Sequence, residues 1–454
     1  MRELLNDAAG RALRYIEGLS ERPVRPDPRV VASLDELDVP LPANPTAAAE
    51  VIETLDRYSG AVMAMSGPRY FGHVIGGTLP ASLAANWMAT AWDQNSALAA
   101  VTPLTVKLEH VATRWLVDLL GLPSGTAAGF VTGATVANFS CLVAARHAVL
   151  QHAGWDVEAD GLFGAPQVTV IVGEEAHPSL IKALGLAGFG RNRVVRVPTD
   201  DQGRMRADAF PDVSGPTIVC LQAGNVNTGA FDPAEEIIPR AKAAGAWVHV
   251  DGAFGLWAAA APSLRYLMAG YADADSWATD AHKYLNTPYD SGLAFVRDPE
   301  PLRAAMSVSA AYLQTGASGD AADFTPELSR RARGVDVWAA LYSLGRDGMA
   351  DLVERTHRHA TMFAEGLTAA GYSVLNEVVL NQTLVSFGDE ETSKRVIAVI
   401  QDEGVCWAGP TVWHKRPAMR ISCSNWSTTD ADVQQSLAAM IRATHTVSAA
   451  PHPA

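Results

Sequence analysis

The spacing of apolar positions changes character along the chain. Leu4, Ala8, Ala12, Tyr15, Ile16 and Leu19 recur at helical intervals and predict a helix with one apolar face. A second helical pattern spans 46–58. Between them, 23–28 (PVRPDP) breaks the first helix and is expected to run extended, because proline fixes φ and restricts the residue before it. These first sixty or so residues read as two helices on a stiff arm. They have little core of their own and need something larger to pack on.

From about residue 100 the pattern becomes strand and helix in alternation. Continuous apolar runs at 168–172, 194–197, 217–221, 246–250 and 293–296 have strand length. They do not alternate with polar residues, so both faces should be buried. Helical stretches such as 233–244 lie between them. That order implies an α/β fold with a doubly wound, mostly parallel sheet. After about 340 come a long helix to Gly371, short strands near 373–375 and 384–387, a helix from Glu391 and a strand at 419–422. The expected division is an N-terminal helical arm (1–62), a large α/β domain (63–340) and a smaller C-terminal α+β domain (341–454).

Composition narrows the class. Of 454 residues, 48% are apolar and 19% charged, against roughly 25% charged in ordinary soluble proteins. This excludes a disordered chain, and points to a large core or to surface hidden in an oligomer. The net charge is −14, from 35 Lys and Arg against 49 Asp and Glu, which argues against a nucleic-acid partner. Cys141, Cys220, Cys406 and Cys423 form no C-x-x-C pair and read as reduced core residues of a cytoplasmic protein. Residues 1–19 include Glu3, Asp7 and Glu17 and do not read as a signal peptide. No apolar stretch approaches the roughly 18 residues of a membrane span. No metal-binding pattern is present.

Ligands of open α/β sheets sit beyond the carboxyl ends of the strands, so the residues at those ends carry the candidate chemistry. Asp251 follows the run 246–250. Gly-Glu-Glu-Ala-His (173–177) follows 168–172. Gln-Ala-Gly-Asn-Val-Asn-Thr-Gly (222–229) follows 217–221. Asp-Ala-His-Lys (280–283) precedes 293–296, and Val-Thr-Gly-Ala-Thr (131–135) leads into a helix expected over 136–150. Each has a plainer explanation: a strand-end cap for Asp251, a helix cap for His177, an N-cap for the Gly-Ala-Thr segment. Their order and common edge are harder to explain that way.

VHVDGAFGLWA (248–258) and SWATDAHKYLNTPYDSGLAFV (276–296) resemble the core of the group II pyridoxal-5′-phosphate (PLP) decarboxylases, which act on aromatic amino acids, glutamate, cysteine sulfinate or diaminobutyrate. EEAHPSLIKALGLAG resembles the family's Ala-His-x-Ser segment, VTGATVANFSCLVAAR its phosphate turn and AGNVNTGAFDP its Gly-Thr-Thr loop. The resemblance covers about residues 65–430. It implies a PLP-dependent transferase fold of type I and a homodimer with a shared active site, acting on an amino acid as its small-molecule substrate.

The resemblance also implies roles. Lys283 would attach the cofactor as a Schiff base, Asp251 would pair with the pyridine nitrogen, and His177 would stack on the ring. Ala134 and Thr135 would bind the phosphate at a helix N-terminus, with His282 and Asp280 beside it and Asn227 near the O3′ edge. Ala-Ala-Tyr-Leu (310–313) resembles the loop whose tyrosine protonates Cα, which assigns that step to Tyr312 and favours an amine product; Phe at this position marks relatives that make aldehydes. The Gly-, Ala-, Ser- and Asp-rich stretch 312–324 suits a lid. Arg420, in Met-Arg-Ile-Ser, would reach a substrate carboxylate or serve a structural ion pair. Phe71, Trp87 and Trp92 lie where relatives place pocket walls, and would favour an aromatic or bulky side chain if they are not core or interface residues. Three positions depart from the family: Val136 replaces a common Glu, Asn227 a common Thr, and Asp280 a common Asn.

Two decoys are set aside. Gly185-x-x-Gly188-x-Gly190 has dinucleotide-loop spacing reversed, and His357 and His359, two apart on a helix, face apart. Transamination, oxidative deamination, carbon–carbon cleavage, decarboxylation of an acidic amino acid and a non-catalytic PLP-fold protein stand as the alternatives to decarboxylation of an aromatic amino acid.

Overall fold

A computed structural model describes residues 1–307 and 320–449. The chain forms two compact units: a larger one of residues 76–361 with 376–383, and a smaller one of residues 1–75, 362–375 and those from 384 onward.

The larger unit is built on a seven-stranded sheet. Its strands are β1 (Ala127–Val131), β2 (Thr169–Gly173), β3 (Val195–Val197), β4 (Thr217–Gln222), β5 (Trp247–Asp251), β6 (Ser276–Asp280) and β7 (Gly292–Val296), in the order β1-β7-β6-β5-β4-β2-β3. All run parallel except β7, which is antiparallel to β6 and β1. The five expected strands are present, shifted by at most a residue or two at their ends. Two were missed. β6 reads SWATD, with neither β-branched density nor alternation, and is fixed as a strand by pairing with β5 on one side and β7 on the other. β1 (AAGFV) is short and rich in small residues, and pairs only with β7. The central strands β5, β6 and β7 are buried at every position; the apolar run of β7 announces this, whereas β5 and β6 bury polar residues as well.

The helix Ala134–His152 packs on this sheet, burying Ala137, Cys141, Leu142, Ala144 and Ala145 completely. It begins two residues before the expected start, at the Gly-Ala-Thr segment itself. Where the chain passes from β1 into this helix it nearly touches the start of β7: a Cβ on Gly292 would fall 2.4 Å from Gly133 Cα. The helix Arg333–Ala369 is interrupted at Gly345, whose φ of 61° suits glycine.

In the smaller unit, a four-stranded sheet joins β8 (Ser373–Val374), β9 (Gln382–Ser386), β10 (Gly409–Trp413) and β11 (Arg416–Ser422) in the order β10-β11-β9-β8. The helices Glu390–Glu403 and Asp430–Ala449 pack against each other; neither β10 nor the Asp430 helix was expected. The N-terminal residues form three helices rather than two: Arg2–Glu17, Pro28–Ala32 and Ala48–Arg57. The extended arm ends in a helix because the Asp27 carboxylate accepts the Arg29 N–H and Pro28 occupies the first turn, where its missing N–H costs nothing. The arm is tied to the C-terminal residues of the same unit by Val24 N–H donating to Gly404 O (2.8 Å) and Arg25 Nε to Asp402 O (2.5 Å).

All four cysteines are buried and free. Among the described residues no helix is long and apolar enough to cross a membrane.

Candidate active site

Strand pairing assembles most of the site within the larger unit. Register sets Asp251 at the end of β5 beside Ala278 of β6 and Gln222 of β4. Its backbone is held by Ala223 N–H donating to Asp251 O (2.9 Å). The carboxylate is buried, and among the described residues neither oxygen has a partner at hydrogen-bonding geometry. Burial therefore pushes its pKa up, to about 6; Lys283 and Asn138 pull it down and Asp280 adds to the rise. A buried carboxylate left in this condition calls for a cationic N–H partner.

A buried polar chain lies beneath Asp251. Trp247 Nε1, which can only donate, bonds to Ser276 Oγ (2.9 Å). The Ser276 hydroxyl can then donate to His249 Nδ1 (2.9 Å), leaving Nε2–H to donate to Asn138 Oδ1 (2.8 Å). Burial lowers the His249 pKa to about 3, which keeps it neutral and compatible with one donor and one acceptor. The chain thus fixes Asn138 with its carbonyl towards His249, so that its NH2 group is the part acting on Asp251. None of Asn138, His249 and Ser276 was named from the sequence. A signal existed: His249 and Asp251 are two apart on one strand, hence on one face, and Asn138 is one helical turn beyond Ala134.

His177 caps the helix Pro178–Leu186. Its Nδ1 accepts the Ser179 N–H (3.2 Å) and lies 2.7 Å from Ser179 Oγ. The plain capping role and a role in the site coexist, because accepting at Nδ1 leaves Nε2 to carry the proton of a neutral ring. His177 and Asp251 line one small cavity with Gln222, Cys220 and Asp232. Asp232, also buried, accepts the N–H groups of Met205 (2.7 Å) and Gln222 (2.6 Å), and burial raises its pKa to about 6. In the 225–230 loop, Asn225 Oδ1 accepts the Asn227 N–H at 2.8 Å and organises the turn that carries Asn227.

Lys283 follows β6. Its Nζ lies 2.8 Å from Asp280 Oδ2 and 5.9 Å from the Phe254 ring centre. His282 Nδ1 accepts the Ser291 N–H (3.2 Å), and its ring stacks on Tyr289 at 4.3 Å. Desolvation lowers the His282 pKa despite Asp280. Ala134, expected to offer its N–H to a phosphate, donates it to Asp280 Oδ1 at 2.6 Å. The start of the helix Ala134–His152, with Thr135 in its first turn, is therefore already an anion-holding site.

Gly76 sets the Lys283 backbone: its N–H donates to His282 O (3.4 Å), and a Cβ there would fall 1.8 Å from Lys283 O. Gly76→Ala is expected to shift Lys283, to destabilise the fold by about 1–3 kcal/mol and to loosen cofactor retention. Thermal unfolding and dialysis check this; an equally stable variant that keeps its cofactor would refute it.

The remaining candidates are placed separately. Phe71, in the smaller unit, is 1% exposed and packs edge-on to Phe363 at 5.0 Å, which is a core environment. In the same unit the rings of Tyr70 and Trp407 stack at 5.0 Å, His73 stacks on Trp407 at 5.5 Å, and Tyr70 Oη lies 2.8 Å from His73 Nδ1. Arg420 acts on both Tyr70 and His73, and its own pKa is lowered by burial. Trp87 and Trp92 lie on the helix Pro80–Trp92 of the larger unit, 41% and 37% exposed. Tyr312 lies outside the described residues, as does most of the expected lid.

Residues 33–388 match the family model of the pyridoxal-dependent decarboxylase conserved domain. The chain belongs to the pyridoxal-dependent decarboxylase family. Tryptophan decarboxylase 1 of Oryza sativa subsp. japonica is 28% identical over 376 residues, covering 76% of this decarboxylase and 72% of the relative. Acidic amino acid decarboxylase GADL1 of Bos taurus is 28% identical over 302 residues, 63% of this chain and 57% of that one. In fold, the decarboxylase is similar to mouse CSAD (TM-score 0.89, 21% identity, 97% and 98% of the chains covered). It is equally similar to Oryza sativa TDC solved with PLP and tryptamine (TM-score 0.88, 22% identity, 98% and 97%). The fold is the expected type I, and PLP is the cofactor. The residues present suit it: an amine at Lys283, a buried carboxylate with two unpartnered oxygens at Asp251, and an anion-holding helix start at Ala134.

Proposed function

We propose that this decarboxylase converts an L-amino acid into its amine and CO2, with an aromatic or bulky side chain preferred, as a cytoplasmic homodimer with a shared active site. The observation that carries the cofactor assignment to residues is the buried, unpartnered Asp251 carboxylate on the sheet edge that also bears Lys283. PLP, when bound, supplies the electron sink for the carbanion left at Cα when CO2 departs.

The chain's own residues do the rest. Lys283 attaches the cofactor, and Asp251 keeps a proton on the ring nitrogen. His177 offers a neutral ring to the cofactor face. Ala134, Thr135, His282 and Asp280 surround the phosphate, and Asn227 serves the O3′ edge. Tyr312 returns a proton to Cα, and Arg420 holds a carboxylate as a planar donor. The aromatic preference is supported by the stacked Tyr70, His73 and Trp407 rings near Arg420 and by the tryptophan decarboxylase among the relatives. A second reading, an acidic side chain, is favoured by the buried Arg420 cation and by the GADL1 relatives. Incubation with a panel of amino acids, assaying CO2 and amine, separates the two; no CO2 from any of them would overturn both.

In air-saturated buffer, with dissolved O2 as the two-electron oxidant and water supplying the aldehyde oxygen, Tyr312→Phe is expected to divert product from amine to aldehyde with ammonia and hydrogen peroxide, measured by mass spectrometry and peroxide assay. An unchanged amine yield would remove Tyr312 from the protonation step. The dimer is supported by the apolar residues that the N-terminal helices leave exposed, among them Leu5, Leu13, Val51 and Leu55. Light scattering should give about twice the 48.1 kDa chain mass.

A further inference from the structure

We propose that Asp280 is an internal counter-anion seated in the phosphate cradle, and that it weakens cofactor binding by competing with the phosphate for the same donors. The inference rests on the assignment of Lys283 as the attachment lysine.

One carboxylate collects the cationic and N–H groups expected to serve the cofactor. Asp280 Oδ1 accepts the Ala134 N–H at 2.6 Å and lies 3.5 Å from His282 Nε2, and Oδ2 lies 2.8 Å from Lys283 Nζ. The His282 contact has the right polarity, because Nδ1 accepts the Ser291 N–H and so leaves the proton on Nε2. Asp280 is 3% exposed, so water screens little of its charge. Its position is fixed from both sides: its N–H donates to Ala253 O (2.9 Å), and its carbonyl accepts Trp257 Nε1 (3.2 Å). The helix start cannot recede, since Gly133 is already in close approach to Gly292.

A helix N-terminus binds an anion through its free N–H groups and its dipole. Here a side chain already supplies that anion. A phosphate arriving at Ala134 must share or displace it, and two like charges in a buried site repel. The same carboxylate ties up Lys283, whose amine must leave the pair before it can attack a carbonyl carbon. Asn at this position would keep an oxygen for the Ala134 N–H and remove the charge.

Asp280→Asn and, as a second neutral variant, Asp280→Ser are compared with the parent protein. PLP affinity is measured by titration of the cofactor-stripped enzyme, and the attachment rate by absorbance and borohydride fixation. The neutral variants should bind PLP about tenfold more tightly or better, a gain of about 1.4 kcal/mol, and attach it faster. Inorganic phosphate, used as a probe without a ring, should raise the melting temperature of the stripped variants more than that of the parent. Equal or weaker PLP binding by both variants would overturn the proposal and make Asp280 a favourable cofactor contact. Peptide mapping of the borohydride-fixed parent tests the underlying assignment separately: a label on another lysine would sink that assignment whatever the affinities.

Discussion

Lys283→Ala protein is expected to take up PLP without covalent attachment and to lose turnover by about 10^4-fold or more, the upper range for removing a residue that acts directly in proton transfer; here the attachment point goes as well. Borohydride should fix cofactor to the parent protein and not to the variant. Loss of the Asp280 pairing adds a second effect, on stability. Asp280 then lacks its 2.8 Å cation, so the cofactor-free variant should also melt lower than the parent. A variant that turns over at the parental rate would remove Lys283 from the site. A variant without activity but with cofactor still fixed by borohydride would move the attachment to another lysine.

Asp251→Asn should separate stability from catalysis. The carboxyl pKa is raised by burial from 3.8 to about 6. A raised pKa means that the fold prefers the protonated form: this contribution to stability is fully present below about pH 3.8 and is lost as pH rises through 6. At pH 7 the ionised carboxylate costs the cofactor-free fold about 3 kcal/mol, at about 1.4 kcal/mol for each tenfold step. Asparagine does not titrate. The stripped variant should therefore melt a few degrees higher than the stripped parent at pH 7, and the difference should vanish near pH 4. Asp232 and Asp336 are also raised to about 6, so they shift both proteins alike and drop out of the comparison. Catalysis should fall by about 10^2–10^3-fold, the effect of removing one preorganised electrostatic group. A melting difference independent of pH would show that Asp251 is not the titrating group.

The candidate site was legible in proportion to how local its signals are. Asp251 and His177 stand at or just beyond strand ends that apolar runs reveal, Lys283 stands ahead of the run 293–296, and their order along the chain carried the family resemblance. Fold class was legible for the same reason, since strands buried on both faces leave continuous apolar runs such as residues 218–221 of β4. β6 was not, because SWATD is a strand only by virtue of its two neighbours. Phe71 was read as a candidate pocket wall, and its packing against Phe363 depends on residues almost three hundred positions apart.

By itself the sequence determined the α/β alternation, the family and which side chains are candidates for the chemistry, because residue type and short-range period are properties of the chain. The tertiary structure decided what those side chains face. Only strand register brings Ser276 beside His249 and so orients Asn138 towards Asp251. Only the crossover between β1, β7 and the helix Ala134–His152 brings Asp280 to the Ala134 N–H, 146 residues away in sequence. Hydrogen bonds and charge pairs act over a few ångströms, and such distances between residues far apart in sequence exist only once the chain has folded.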